Sequence, residues 1–377
     1  MIDRNRLIEE FMELVRIDSE TKHERNICDA LTKKFTDLGL SVEEDGAAAV
    51  TGHGAGNLIV KLGASGAEQA PTIYFTSHMD TVTPGKGIQP RLDDDGYIRS
   101  DGTTILGSDD KAGLAAMFEA IRVLKENRIP HGAVQFIITV GEESGLVGAQ
   151  ALDRAKLEAQ YGFALDSNGE IGAIAVAAPA QAKITIKIYG KSAHAGVNPE
   201  DGISAIQVAS KAVSRMPLGR IDHETTANIG RFEGGGATNI VCDYVKLDSE
   251  ARSIVNEKLD KQVAAMREAV ASVSKDFGAK AEFDSRLAYP AFMHEDGTPV
   301  VELAKEAIRK IGATPRTFHS GGGSDANIFN GFGVPTVNLA VGYEHIHTTN
   351  EQIKASDLVK VAELVVALIA ISAEKQA

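Results

Sequence analysis

The chain has 377 residues, 43% of them apolar, with 39 basic against 52 acidic residues and a formal net charge of −13. That length exceeds what one hydrophobic core usually fills, so two domains are expected. The acidic balance argues against nucleic acid and anionic membrane surfaces as partners.

The N-terminal stretch MIDRNRLIEEFMELVRIDS is charged throughout and lacks the apolar run of a signal peptide. No apolar run reaches the length of a membrane span. Cys28 and Cys242 stand far apart and form no CxxC pair, so neither a disulfide framework nor a cysteine zinc site is expected. Two free thiols suit a reducing compartment, and a cytoplasmic location is the expectation.

Leu7, Phe11, Leu14 and Val15 recur at helical spacing, with Ile8 widening the stripe. Ile27, Leu31, Phe35 and Leu38 repeat the pattern before Gly39, which reads as a C-cap. Strands are expected at NLIVKL and TIYFTS, and a long helix from near Lys111. AVQFIITV, after Pro130, is a continuous apolar run that suits a strand buried on both faces. A helix is expected at ALDRAKLEA and a short strand at YGFALD. Strands alternating with helices predict a three-layer α/β core.

The pattern changes near residue 180. QAKITIKIYG alternates with period two, as a half-buried strand does, and a helix follows at GISAIQVASKAVSRM. Strands TTANIGRFEG and NIVCDYVKLDSEARS, a helix over 257–277 and a strand at AKAEFDSRL complete a split βαβ order. The α/β style returns after about residue 293, with helix VVELAKEAIRK, glycine-rich SGGGSDAN, strand PTVNLAV and helix DLVKVAELVVALIA. The expected fold is therefore α/β: a three-layer αβα domain from residues 1–179 and 293–377, carrying an inserted α+β, ferredoxin-like domain over 180–292.

Five segments end in side chains that can hold a metal: His78 and Asp80 in SHMDT, Asp109 and Asp110 in LGSDDKAG, Glu142 and Glu143 in TVGEESG, Asp166 in FALDSNG, and His347 in YEHIHTTNE. Three of them follow apolar strand runs directly, and open α/β folds gather ligands at the carboxyl ends of strands. Nitrogen and carboxylate donors without cysteine suit a catalytic zinc, manganese or cobalt site. Each segment alone has a plainer use. A histidine and an aspartate after a strand can be a solvated turn, and two aspartates before a helix can be an N-cap and its favourable charge. Glu142 beside Glu143 is harder to dismiss, because adjacent carboxylates at the edge of a core repel unless a cation offsets them.

These stretches, with KSAHAGVNPEDG and GGGATNIV, make the chain resemble the zinc-dependent exopeptidase family that includes peptidase T, carboxypeptidase G and aminoacylase-1, with the peptidase T branch nearest. The resemblance runs from about residue 78 to 351 and extends to the domain order. It implies two divalent metal ions, most simply Zn2+, with Mn2+ or Co2+ as alternatives. Asp109 would bridge the metals, His78 and Asp166 would complete one site, and Glu143 and His347 the other. His347 is chosen over His345 because the family places a glutamate four residues after the ligand, as Glu351 stands here. Asp80 would orient the His78 imidazole. Glu142 would be the general base that carries a proton from water to the leaving amine.

In the inserted domain, which the resemblance makes a lid and dimerisation domain, His194 would reach the partner subunit's active site and stabilise the oxyanion. Asn239 and Arg252 match substrate-binding positions, where an arginine suits a carboxylate. SGGGSDAN lacks the Lys-Ser/Thr ending of a phosphate loop, and the resemblance implies instead a backbone loop lining the substrate site. The implied activity is hydrolysis of short peptides, most simply tripeptides cut at the N-terminal residue, by a homodimer. An N-acyl amino acid deacylase or carboxypeptidase is the alternative within the family. A non-catalytic peptide-binding relative is the alternative outside it, disfavoured because such a module needs neither the five ligands nor the Glu142–Asp80 pair.

Overall fold

The structure, a computed structural model, describes residues 1–375. The described residues divide into two compact units, one of residues 1–177, 294–320 and 324–375, the other of 178–293 with 321–323.

The first unit opens with helices α1 (Arg4–Arg16) and α2 (Arg25–Asp37). Asp3 caps α1 by accepting from the amides of Asn5 and Arg6. Gly39 takes a left-handed φ of +75° just past α2, the conformation a glycine adopts at low cost. Strands β1 (Ser41–Glu44), β2 (Leu58–Leu62) and β3 (Ile73–His78) follow, then helix α3 (Ser108–Asn127), β4 (Val134–Thr139), β5 (Tyr161–Ser167) and β6 (Ala173–Ala178).

The second unit runs β7 (Ala180–Tyr189), α4 (Ala205–Arg215), β8 (Thr225–Gly234), β9 (Tyr244–Ser253), α5 (Asn256–Phe277) and β10 (Lys280–Tyr289). Its sheet has the spatial order β8-β9-β7-β10, with every neighbouring pair antiparallel. That is the strand order of a split βαβ unit. Ala182, Ile184, Ile186 and Ile188 alternate into a core with Val208 of α4 and Met266 and Val270 of α5. The intervening Lys183, Thr185 and Lys187 are only half-buried.

On returning to the first unit the chain forms α6 (Pro299–Lys310), the short α7 (Asp325–Gly331), β11 (Thr336–Ala340) and α8 (Ala355–Ser372). The large sheet has the order β1-β2-β4-β3-β5-β11-β6. Its centre is parallel: β3 pairs with β4 and β5, and β5 with β11. Adjacent residues of β3 show that both faces are covered, since successive side chains point to opposite sides. Phe75 stacks on Phe136, which stacks on Phe35 of α2, itself 4.3 Å from Phe118 of α3. Tyr74 points the other way, with its ring 5.2 Å from Phe329 of α7 and its hydroxyl 2.5 Å from Thr336 Oγ1. Helices on two faces of a mostly parallel sheet make the three-layer α/β architecture.

Two local expectations differ from the structure. ALDRAKLEA forms no helix of its own: a five-residue helix ends at Ala151, and one 3-10 turn follows at Arg154–Lys156. Its few apolar residues cannot form the stripe that offsets the cost of starting a helix. Strand β6 left no clear trace in the sequence, because GAIAVAA is mostly alanine, a residue depleted in strands. No helix among the described residues is long and apolar enough to cross a membrane.

Candidate active site

Because β3, β4 and β5 run parallel, their carboxyl ends fall on one edge of the sheet. His78 closes β3 and pairs in register with Thr139, the last residue of β4. Glu142 and Glu143 follow in the next turn, and Asp166 is the penultimate residue of β5. Asp109 and Asp110 lie at the start of α3 but are not helical, with Asp109 at φ −85° and ψ 98°, so the regular helix starts at Lys111. The peptide bond between the two aspartates is cis. His347 sits in a turn with a left-handed φ of +63°.

Five distant segments thereby converge. His78 Nε2 lies 3.0 Å from Asp109 Oδ1 and 3.8 Å from Asp166 Oδ1. His347 Nε2 lies 2.9 Å from Glu143 Oε1 and 3.3 Å from Asp109 Oδ2. Two metal-capable groups result, His78–Asp109–Asp166 and Asp109–Glu143–His347, each with its donor atoms within 4.8 Å of one another. They share Asp109, which turns one oxygen to each group. His78, Glu142 and Glu143 form a third, overlapping combination. His345 enters none of these groups.

The charge balance of this cluster is what a cation would correct. Burial pushes Asp166 and Glu142 well above the usual carboxylate range, and neighbouring carboxylates push the same way. Burial would also raise Asp109, but hydrogen bonds from His347 and His78 outweigh it and hold that carboxyl below its ordinary value. Burial alone would lower His78, yet its bonds to Asp109 and Asp80 leave it well above the histidine range. Hydrogen bonds to Asp109 and Glu143 push His347 up to about 10. Buried carboxylates crowded against two imidazoles in this way are what divalent cations would satisfy, and oxygen and nitrogen donors of this kind fit such ions.

The surrounding residues fix these donors. His78 Nδ1 donates to the main-chain carbonyl of Asp80 at 2.9 Å, with the Asp80 carboxylate 3.5 Å away. The orienting bond expected from the Asp80 side chain thus comes chiefly from its backbone. The buried carboxylate instead accepts from the amides of Glu142 and Glu143. Tyr343 donates its buried hydroxyl to Asp166 Oδ1 at 3.0 Å. Asn338 on β11 accepts from the Asp166 amide and donates to its carbonyl. In SGGGSDAN, Asp325 accepts from Thr139 Oγ1 at the end of β4, and burial pushes it up to about 6. The sequence reading missed Tyr343, Asn338 and Asp325. Their only signals were positional: Asp325 lies in the glycine-rich stretch before strand PTVNLAV, Asn338 within that strand and Tyr343 just after it.

The three residues expected to bind substrate all lie in the second unit. His194 and Asn239 stand on adjoining loops, since the Ala195 amide donates to the Asn239 carbonyl at 2.9 Å and His194 bridges to Ile240. His194 is exposed. Arg252 is not a free receptor for a carboxylate. Its guanidinium already grips Glu250, at 2.8 Å from Nε and 3.2 Å from Nη2. Residues two apart on a strand project from the same face, which puts the two charges side by side on β9.

Residues 74–371 match the family described as Peptidase family M20/M25/M40. The crystal structure of aminopeptidase PepT from Bacillus cereus ATCC 10987 is 64% identical, covers 99% of this chain and 100% of its own, and superposes with a TM-score of 0.93. A tripeptidase structure from Staphylococcus aureus Mu50 is 50% identical over the whole of both chains, with a TM-score of 0.96. The YqjE protein of Bacillus subtilis (strain 168) is 62% identical over 369 residues, 98% of this chain and 99% of its own length.

Proposed function

The chain belongs to peptidase family M20/M25/M40, and from that premise we propose that it is a metal-dependent aminopeptidase of the peptidase T kind, removing the N-terminal residue of tripeptides. The observation that carries the reading is the sharing of Asp109 between two donor groups with Glu142 beside them. His78, Asp109 and Asp166 would hold one divalent cation, and Asp109, Glu143 and His347 a second. Zinc is the simplest assignment, with manganese and cobalt as alternatives. When bound, the ions polarise the scissile carbonyl and make an attacking water more acidic.

Glu142 takes a proton from that water on its carboxylate and delivers it to the leaving amine nitrogen. Its raised proton affinity suits a group that must both accept and give back a proton. Asp80 holds the Glu142 and Glu143 amides, which fixes the direction of both side chains. His194 is assigned the oxyanion, donating from its ring to the substrate bound by the partner of a homodimer. Supporting a dimer through the second unit, β8 beyond Ala227 has no strand on its outer side among the described residues, and Phe232, Ile240 and Tyr244 are exposed nearby. A cytoplasmic setting, in which both cysteines stay reduced, completes the proposal.

The test is a hydrolysis screen of the metal-loaded protein against dipeptides, tripeptides, N-blocked peptides and N-acyl amino acids. Tripeptides with a free amine should be cut after the first residue, and chelation should abolish that activity until metal is restored. Preferential cleavage of N-acyl amino acids, or release of the C-terminal residue, would overturn the assignment.

A further inference from the structure

Glu351 is 2% exposed, and its carboxylate makes four hydrogen bonds, all to one segment. Oε2 accepts from the amides of Leu106 and Gly107, each at 2.8 Å. Oε1 accepts from Ser108 Oγ at 2.6 Å and from the Asp109 amide at 3.1 Å. No lysine, arginine or histidine among the described residues forms an ion pair with it. A buried carboxylate is costly unless charge-assisted bonds of this kind repay its lost hydration. Glu351 follows His347 by four residues, so these bonds join the segment that carries His347 to the one that presents Asp109.

We propose, building on the two-metal reading above, that Glu351 is a positioning residue for the second cation, the one held by Asp109, Glu143 and His347. Asp109 keeps its non-helical backbone at the mouth of α3 while Glu351 engages its amide. His347 stands on an exposed turn, and its other ties to the site are through Asp109 and Glu143 themselves. His78 and Asp166, by contrast, are built into the central strands β3 and β5. Loss of the Glu351 carboxylate therefore loosens the second position more than the first, which shares Asp109 but draws its other two ligands from those strands.

The experiment titrates zinc into metal-stripped wild-type protein and Glu351→Gln by calorimetry, with thermal unfolding of the stripped proteins as the folding control. Glutamine keeps the shape but turns an NH2 group toward N–H donors. Wild type should bind two equivalents. The variant should bind the second equivalent about 10- to 100-fold more weakly, as loss of an outer hydrogen-bond partner does, and the first with a smaller loss. Two equivalents bound as in wild type, or an equal loss at both positions, would overturn the proposal. Wild type that binds no zinc would overturn the two-metal reading itself. Should Glu351→Gln fail to fold, Ser108→Ala removes one of the four donors and should weaken the second equivalent more than the first, and an unchanged titration there would count against the proposal.

Discussion

The carboxylate of Asp80 accepts a hydrogen bond from the main-chain amide of Glu142 at 3.0 Å, with a companion bond from Glu143 at 3.3 Å. One buried side chain at the end of β3 therefore holds the turn that carries both the proton carrier and a metal ligand. The His78 imidazole depends chiefly on the Asp80 carbonyl, which no substitution at that position removes.

From this arrangement, Asp80→Ala should lower kcat about 10- to 100-fold, the usual cost of losing such a support. Metal at the His78 position should be largely retained. Steady-state kinetics with metal content per subunit would check it. Loss of the His78-bound metal with no change in kcat at saturating metal would contradict the division of labour.

Glu142 is the only group assigned to move protons. Glu142→Gln keeps the size but cannot accept a proton, so kcat should fall about 10²- to 10⁴-fold. Metal stoichiometry should stay at the wild-type value. A variant that turns over tripeptides normally would remove Glu142 from the mechanism.

Metal binding should release protons. The metal-free His347, pushed up to about 10, is protonated at pH 7, and a ligand imidazole must be neutral. Affinity should therefore weaken steadily as pH falls from 8 to 6. Calorimetry at pH 7 in buffers of different ionisation enthalpy should report net proton release. A buffer-independent enthalpy would contradict this.

Tyr343→Phe removes the hydroxyl that donates to Asp166 and leaves the buried ring in place. Stability should drop by about 1 kcal/mol, the worth of a typical internal hydrogen bond. Zinc affinity at the position held by Asp166 should drop about tenfold. Denaturant titration and metal competition together would read both effects.

Gly148 packs against the last residue of the strand run that precedes Glu142. A Cβ built there would lie 2.1 Å from the Val140 carbonyl oxygen. Gly148→Ala should cost about 1–3 kcal/mol of stability, as overpacking does, and lower activity by displacing the Glu142 turn. An unfolding midpoint equal to wild type would show that this turn is not held where the structure puts it.

By itself the sequence determined the strand–helix alternation, the change of pattern near residue 180, and the clustering of metal-capable residues after apolar runs. These are local signals, written in the spacing of neighbouring side chains. The five segments that carry metal-capable side chains could be picked from the residues alone, whereas the choice of His78, Asp109, Glu143, Asp166 and His347 within them is what the family resemblance implies.

What only the tertiary structure decided is which atoms meet. It turned Asp109 to both groups, gave the Asp80 carboxylate to the Glu142 turn and filled the Arg252 fork with Glu250. It also brought Tyr343 to Asp166, and Glu351 to a segment more than 240 residues before it. Hydrogen bonds are won or lost over a few tenths of an ångström. That precision comes from five segments converging on one sheet edge, a relationship that no periodicity along the chain records.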